Sequence, residues 1–195
     1  MNLPNKLTVS RIILAPIFMA LLLVENVTAR ACALVVFIIA ALTDLYDGYL
    51  ARKTGVVTGF GKFMDPLADK ILTSSALVAF VALGYAKVWM VLPIVIRELF
   101  ITGLRSVAAY RGQMIRPSWL AKIKTFLQML TIVLILGFVN LKTFAVPLGW
   151  EWAWLESPWV VRCFDYLLFV TMVVTVYTGL DYLRRNTALW RGLAK

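Results

Sequence analysis

Histidine is absent from this chain. That removes the commonest general base at neutral pH and the commonest metal ligand, so any acid, base or metal work falls to carboxylates or to lysine and arginine. Cysteine is scarce. Cys32 and Cys163 lie in or beside apolar runs, without metal-ligand spacing, and read as small buried hydrophobes. Acidic residues number ten against twenty Lys and Arg, a formal charge of +10. Such an excess suits nucleic acid or an anionic lipid surface. Charged residues make up only 15% of the chain, hydrophobic ones make up 62%, and the mean hydropathy is +0.84. An ordinary soluble domain is excluded, and the lipid surface is favoured over nucleic acid. No internal repeat and no low-complexity tract interrupts the pattern.

What is present is a series of long apolar runs. A span needs about 20 residues, so the 195 residues hold roughly six spans, short loops and no separate soluble domain. The expectation is an all-α polytopic membrane protein forming one domain over residues 1–195. The spans are expected at residues 7–24, 29–49, 63–83, 89–110, 122–141 and 159–180. The first run carries one lysine before it and no clear small-residue cleavage pattern after it, and reads as a retained span. "LPNK" before it suggests a turn or a short interfacial helix. "KTGVVTGFGK" is a glycine-marked connector. Residues 142–158, with Trp150, Trp152, Trp154 and two prolines, read as an aromatic interfacial loop. The residues after the sixth span form a basic tail.

Charge sets the expected orientation. Residues 1–11, 52–70, 105–124 and those from 184 onward hold 15 Lys or Arg. The alternate segments hold only Arg30, Lys87, Lys142 and Arg162, and Arg97 is the twentieth. The positive-inside rule then puts both termini on the cytoplasmic side, with an even number of spans.

Four of the ten acidic residues crowd into one stretch, "ALTDLYDGYLARKTGVVTGFGKFMDPLADK". Asp44 and Asp47 are i,i+3, and Asp65 and Asp69 are i,i+4, so each pair shares one face of a helix. Both pairs lie at the expected cytoplasmic ends of helices joined by a short connector, an arrangement that favours antiparallel packing. Clustered carboxylates repel in a poor dielectric. Their readiest partner is a hard divalent cation such as Mg2+ or Mn2+. Four carboxylates suit two ions, an arrangement familiar for displacement at phosphorus. The plainer alternative is solvated helix ends paired with Arg52, Lys53, Lys62 and Lys70. Gly48 follows Asp47 without a blocking side chain, and Gly55, Gly59 and Gly61 permit a tight connector. Arg52, on about the same helical face as Asp44, offers a fork of donors to a phosphate.

A second cluster holds Arg97, Glu98, Arg105, Arg111, Arg116, Lys122 and Lys124. Arg97 and Glu98 lie deepest and are costly there unless paired. Glu98 and Arg105 are two turns apart on one face. A basic pocket beside carboxylates suggests a phosphate-ester substrate. Arg105, Lys122 and Lys124 are the favoured contacts, with Arg116 beside them, while Arg111 and Arg116 equally suit anionic lipid head groups. A divalent-cation transporter also uses intramembrane carboxylates. It usually places them near the midplane and often shows repeats, whereas here the acids lie near one face.

From Asp44 the chain reads D-x-x-D-G-x-x-A-R-(x8)-G-x-x-x-D-x-x-x-D. This resembles the signature of the CDP-alcohol phosphotransferases, with Asp44, Asp47, Gly48, Ala51, Arg52, Gly61, Asp65 and Asp69 all in place. Through "NLPNKLTVSRI", "TGFGKFMDPLADK", "RELFITGLR" and "KIKT" the chain looks most like the bacterial branch that acts on glycerol 3-phosphate. One departure is Ala121, where that pattern has glycine. The resemblance implies six transmembrane helices around a cytoplasm-facing polar cavity, a homodimer, and a place in the bacterial cytoplasmic membrane. It implies that Asp44, Asp47 and Asp65 hold one Mg2+ or Mn2+ ion, that Asp44, Asp65 and Asp69 hold another, and that Asp69 is the catalytic base. Asn5, Thr8, Asp47, Gly48, Ala51, Arg52 and Gly61 would border the cytidine diphosphate of CDP-diacylglycerol. Arg105, Arg116, Lys122 and Lys124 would hold the phosphate of glycerol 3-phosphate. Inositol phosphate, phosphatidylglycerol and serine are rival acceptors, and the basic cluster favours a phosphorylated one over serine.

Overall fold

The computed structural model describes the backbone of residues 3–54, 59–110, 119–145, 147–150, 152–185 and 187, with side chains described for these except 3–6, 44–54, 59–63, 65 and 110. It is all-α: α1 (Leu3–Leu23), α2 (Val27–Thr54), α3 (Gly59–Ala82), α4 (Val88–Tyr110), α5 (Trp119–Ala145) and α6 (Pro158–Arg185), with a 3-10 turn at Ala153–Glu156 before α6. Each expected span falls on one helix, and most helices run past the expected ends. "LPNK" is the first turn of α1, where Pro4 is tolerated because the first N–H groups of a helix have no intrahelical partner. The basic tail was expected to begin at Asp181, but α6 stays helical through Arg185, with Arg185 Nε 2.8 Å from Asp181 Oδ1 one turn back.

Local chemistry sets the turns. Asn26 accepts the Thr28 N–H at 2.8 Å and caps α2. After α3, Gly84 takes φ +79°, the Tyr85 N–H reaches the Phe80 carbonyl at 2.9 Å, and the Gly84 N–H reaches that of Val81 at 3.1 Å. This is a Schellman cap, which needs the left-handed conformation that glycine adopts without strain. Gly149, at φ +65°, does the same after α5, and the Trp150 N–H closes on Ala145.

α1 packs on both α2 and α3, α3 on α4, and α4 and α5 on α6, while α5 also touches α2 and α3. Ala15, Ala33, Ala40, Ala68, Ala76 and Ala79 are fully buried. Small residues at such seams let backbones approach closely where water supplies no hydrophobic drive. Phe18 and Phe37 fill the α1–α2 seam, ring centroids 5.2 Å apart. Outward faces are apolar too: Ile13, Val35, Leu42, Phe126 and Val133 are exposed, while Thr131, Thr171, Thr175 and Thr178 are buried. Thr131, Thr171 and Thr178 donate their hydroxyls to the carbonyl four residues back, which satisfies them without water.

The two cysteines correct an expectation: Cys32 and Cys163 are both exposed. An apolar run in a helix with a greasy outer face does not say which of its residues point inward. α5 and α6 are long and apolar enough to cross a membrane, and residues 7–23 and 27–43 are shorter apolar stretches. Every 18-residue stretch of α3 contains Asp65, Asp69 and Lys70, and every one of α4 contains Arg97, Glu98 and Arg105. Polar residues rather than length keep those two helices out of that class. The protein is thus a membrane-associated helical bundle.

Of the expected loop at 142–158, residues 142–145 are the last turn of α5 and 153–156 the 3-10 turn; at this end Trp150, Trp152 and Trp154 stack in a ladder with centroids 4.9 and 6.0 Å apart. Trp154 continues onto Phe138, which meets Tyr85 and Phe164. Lys87 and Asp165 join across this end at 2.7 Å.

Candidate functional site

The aspartate segment is helical on both sides of its connector. α2 runs unbroken through Asp44, Asp47, Gly48, Ala51 and Arg52, and α3 runs through Gly61, Asp65 and Asp69. Their helical registers put Asp44 with Asp47, and Asp65 with Asp69, on one face each. The side chains of Asn5, Asp44, Asp47, Ala51, Arg52 and Asp65 lie outside the described residues, as does anything beyond the backbone at Gly48 and Gly61. Arg111 and Arg116 lie outside them altogether. Among the described residues no three His, Cys, Asp or Glu side chains gather. The donor set still fits a divalent ion: four hard carboxylates, two per helix, at ideal helical spacing on elements joined by four residues. Thr8 is fully buried on α1.

Asp69 is described. Its carboxylate is about one third exposed, and its Oδ2 lies 3.2 Å from Lys70 Nζ. Lys70 turns at the same time toward Glu98, its Nζ 3.1 Å from Oε2. Glu98 is 1% exposed. Its Oε1 accepts from Lys124 Nζ and, at 3.3 Å, from Arg97 Nη1. Arg97 extends to α6, where its Nη2 donates to the Thr178 hydroxyl at 3.2 Å. Gly179 makes that reach possible, since a Cβ there would stand 2.9 Å from Arg97 Cγ. One buried carboxylate therefore ties together cations from α3, α4 and α5, and through Arg97 the hydroxyl of α6. An isolated charge in such surroundings is costly, and this network is what makes it tolerable.

The cluster forms one wall of a cavity of about 640 Å³ between α3, α4, α5 and α6. Six cationic side chains line it: Lys70, Arg97, Arg105, Lys122, Lys124 and Arg185. Among the described residues the carboxylates of its lining are Glu98 and Asp181. Four positive charges are in surplus, in a cavity of the size that small ligands occupy. Of the expected acceptor contacts, Arg105, Lys122 and Lys124 meet here. Arg105 and Lys122 are exposed while Lys124 is buried at Glu98. Ala121, the departure from glycine, also lines the cavity. Sequence reading did not place Lys70, Asp181, Tyr182 or Arg185 in a site. Lys70 follows directly on Asp69, a signal that was there to find. The α6 residues came from a stretch with no motif, and only the packing of α6 on α4 and α5 brings them in.

The family model described as CDP-alcohol phosphatidyltransferase matches residues 1–177. The CDP-diacylglycerol–glycerol-3-phosphate 3-phosphatidyltransferase of Bacillus subtilis (strain 168) is 38% identical, over 98% of this chain and 97% of its own. The enzyme of the same description from Salmonella paratyphi A is 35% identical over 93% of both chains. A probable phosphatidylglycerophosphate synthase of Mycobacterium tuberculosis (strain ATCC 25618 / H37Rv) is 37% identical over 94% of this chain and 81% of its own.

Proposed function

This chain belongs to the CDP-alcohol phosphatidyltransferase family, and from that premise we propose that it transfers a phosphatidyl group from CDP-diacylglycerol to sn-glycerol 3-phosphate, giving phosphatidylglycerophosphate and CMP. The observation that carries the acceptor is the cavity with its four surplus positive charges, one helical position from Asp69. A phosphate monoester carries about −1.5 to −2 charge at neutral pH. It suits this lining far better than a neutral alcohol or a zwitterion such as serine.

In this reading Lys124 grips the acceptor phosphate from the buried wall while Arg105 and Lys122, with Arg116, close on it from the exposed side. That leaves the glycerol hydroxyl toward Asp69. Asp69 takes the hydroxyl proton as the oxygen attacks the phosphorus that carries diacylglycerol. The bond from that phosphorus to the CMP oxygen breaks, and CMP departs. Asn5, Thr8, Asp47, Gly48, Ala51, Arg52 and Gly61 border the cytidine diphosphate, with small residues leaving room for it and Arg52 supplying donors. Asp44, Asp47, Asp65 and Asp69 would hold two Mg2+ or Mn2+ ions. When bound, these supply charge neutralisation for the pyrophosphate and the leaving phosphate.

The reading extends to six spans, both termini cytoplasmic, in the cytoplasmic membrane of a bacterium, with the acyl chains remaining in the bilayer. What supports six is that α3 and α4 are disqualified by polar residues, several of which reach the cavity or the ion cluster on its wall. A homodimer is part of the same reading, on the family resemblance. The test is an acceptor screen with purified protein, CDP-diacylglycerol and Mg2+ or Mn2+. CMP release is expected with glycerol 3-phosphate, and EDTA should abolish it. Release with inositol phosphate, phosphatidylglycerol or serine but none with glycerol 3-phosphate would overturn the acceptor.

A further inference from the structure

Glu98 has no place in the transfer as described above, yet it is the most buried charge around the cavity. Its partners explain why a membrane helix would carry it. Lys124 is both a cavity-lining cation and the donor to Glu98 Oε1. Lys70 sits between two carboxylates, 3.1 Å from Glu98 and 3.2 Å from Asp69. Without Glu98, Lys124 and Arg97 would repel one another at the same wall with their shared carboxylate gone, and of the two carboxylates now beside Lys70 Asp69 would remain. An ammonium given wholly to Asp69 competes with both the proton and the cation that this carboxylate is read to handle.

We propose that Glu98 is a positioning residue for transfer: it fixes Lys124 at the wall of the acceptor cavity and draws Lys70 partly off Asp69, so that one buried carboxylate sets both halves of the site. This rests on the reading of the cavity as the acceptor site. Lys124 has further N–H donors left for a phosphate after its bond to Glu98, because an ammonium carries three. A lysine held by a buried partner also loses less side-chain freedom when the ligand arrives.

The test uses full-length protein in lipid nanodiscs. Wild type must first release CMP with glycerol 3-phosphate, and its failure to do so counts against the acceptor reading, separately from Glu98. Glu98→Gln keeps the shape and removes the charge. It is expected to raise KM for glycerol 3-phosphate about 10- to 100-fold, the worth of one charged hydrogen bond. It should also raise the Mg2+ concentration for half-activation several-fold, and leave KM for CDP-diacylglycerol within about twofold. Lys124→Met is expected to raise the acceptor KM likewise, and the double variant to be no worse than Lys124→Met alone, since Glu98 acts on that KM through Lys124. Additive losses, equal losses for both substrates, or an unchanged acceptor KM in either single variant would overturn the proposal. If Glu98→Gln does not accumulate, Glu98→Asp keeps the charge with a shorter reach. A raised acceptor KM there supports positioning, while a wild-type KM, or failure of both Glu98 variants to fold, assigns Glu98 to structure alone and overturns it.

Discussion

Gly179→Ala puts a single methyl where α6 meets the Arg97 side chain. The added Cβ would stand 2.9 Å from Cγ, 3.2 Å from Nε and 3.7 Å from Cδ of Arg97. Carbon contacts are comfortable only beyond about 3.5 Å. Cγ lies at the root of the side chain, so it cannot slip aside as a terminal atom would, and the whole arginine must rotate. Its bonds to Thr178 and Glu98, at 3.2 and 3.3 Å, are already long and will not survive the shift. Two charged hydrogen bonds at the weak end of their range amount to ~3 kcal/mol. Against this, the guanidinium regains water in the cavity, and alanine is better than glycine inside a helix by ~1 kcal/mol. The net stability loss is ~1 kcal/mol, a Tm drop of ~3 °C for a chain of this size. On the proposed reading function should suffer more, because Arg97 leaves the cavity wall: KM for glycerol 3-phosphate is expected to rise ~10-fold. Gly103→Ala and Gly137→Ala are the controls. Neither position has any atom within 4 Å of a new Cβ, so both should gain ~1 kcal/mol of helix stability with no kinetic change. Thermal melts and initial rates on all three variants decide the matter. If Gly179→Ala behaves like the controls in both assays, the close approach of Arg97 to α6 is refuted.

Asp69→Asn should lower CMP release by ~100-fold or more, as loss of a general base does. It should change stability by less than ~1 kcal/mol, since among the described residues its carboxylate pairs with the partly exposed Lys70; comparable turnover in the variant would remove Asp69 as the base. Lys87→Ala breaks the exposed pair with Asp165 at the opposite end, and is expected to cost under ~1 kcal/mol in thermal melts and nothing in turnover. Trp152 stacks on Trp150 and Trp154, so Trp152→Ala should cost ~1–3 kcal/mol in unfolding assays. The intrinsic fluorescence of this ladder should be quenched more by shallow than by deep lipid-attached quenchers, and the reverse would deny its interfacial position.

The carboxylate helices were legible because their information is local. Spacings of three and four residues state a helical face, and fixed glycines state where the chain must be bare. That Arg105, Lys122 and Lys124 share one cavity was legible from their density, but how each sits in it was not. Lys124 is buried against Glu98 and Lys122 is exposed, although they are two residues apart, because two residues turn a helix by about 200° and so face opposite sides. Asp181 and Arg185 were read as the start of a basic tail, since nothing in a linear pattern says that α6 lines the cavity. Cys32 and Cys163 were misread for a related reason. In a soluble chain an apolar neighbourhood signals the interior, but here both faces of most helices are apolar, and sequence alone cannot sort core from lipid.

Charge accounting joins the two halves of the site. Four carboxylates at Asp44, Asp47, Asp65 and Asp69 would balance two divalent ions, leaving that half near neutral on the proposed reading. The cavity half is not balanced: among the described residues its six cations face Glu98 and Asp181. Part of it is as buried as Lys124 and Glu98, where an excess of charge is expensive and water is a poor remedy. On the proposed reading an acceptor phosphate brings about −2, which offsets about half of the surplus in the cavity lining. Selection for a phosphorylated acceptor then needs no shape-specific contact with glycerol. On the proposed reading an alcohol without phosphate would leave the wall of Lys70, Arg97 and Lys124 undercompensated and would be rejected by the electrostatic cost of its own binding.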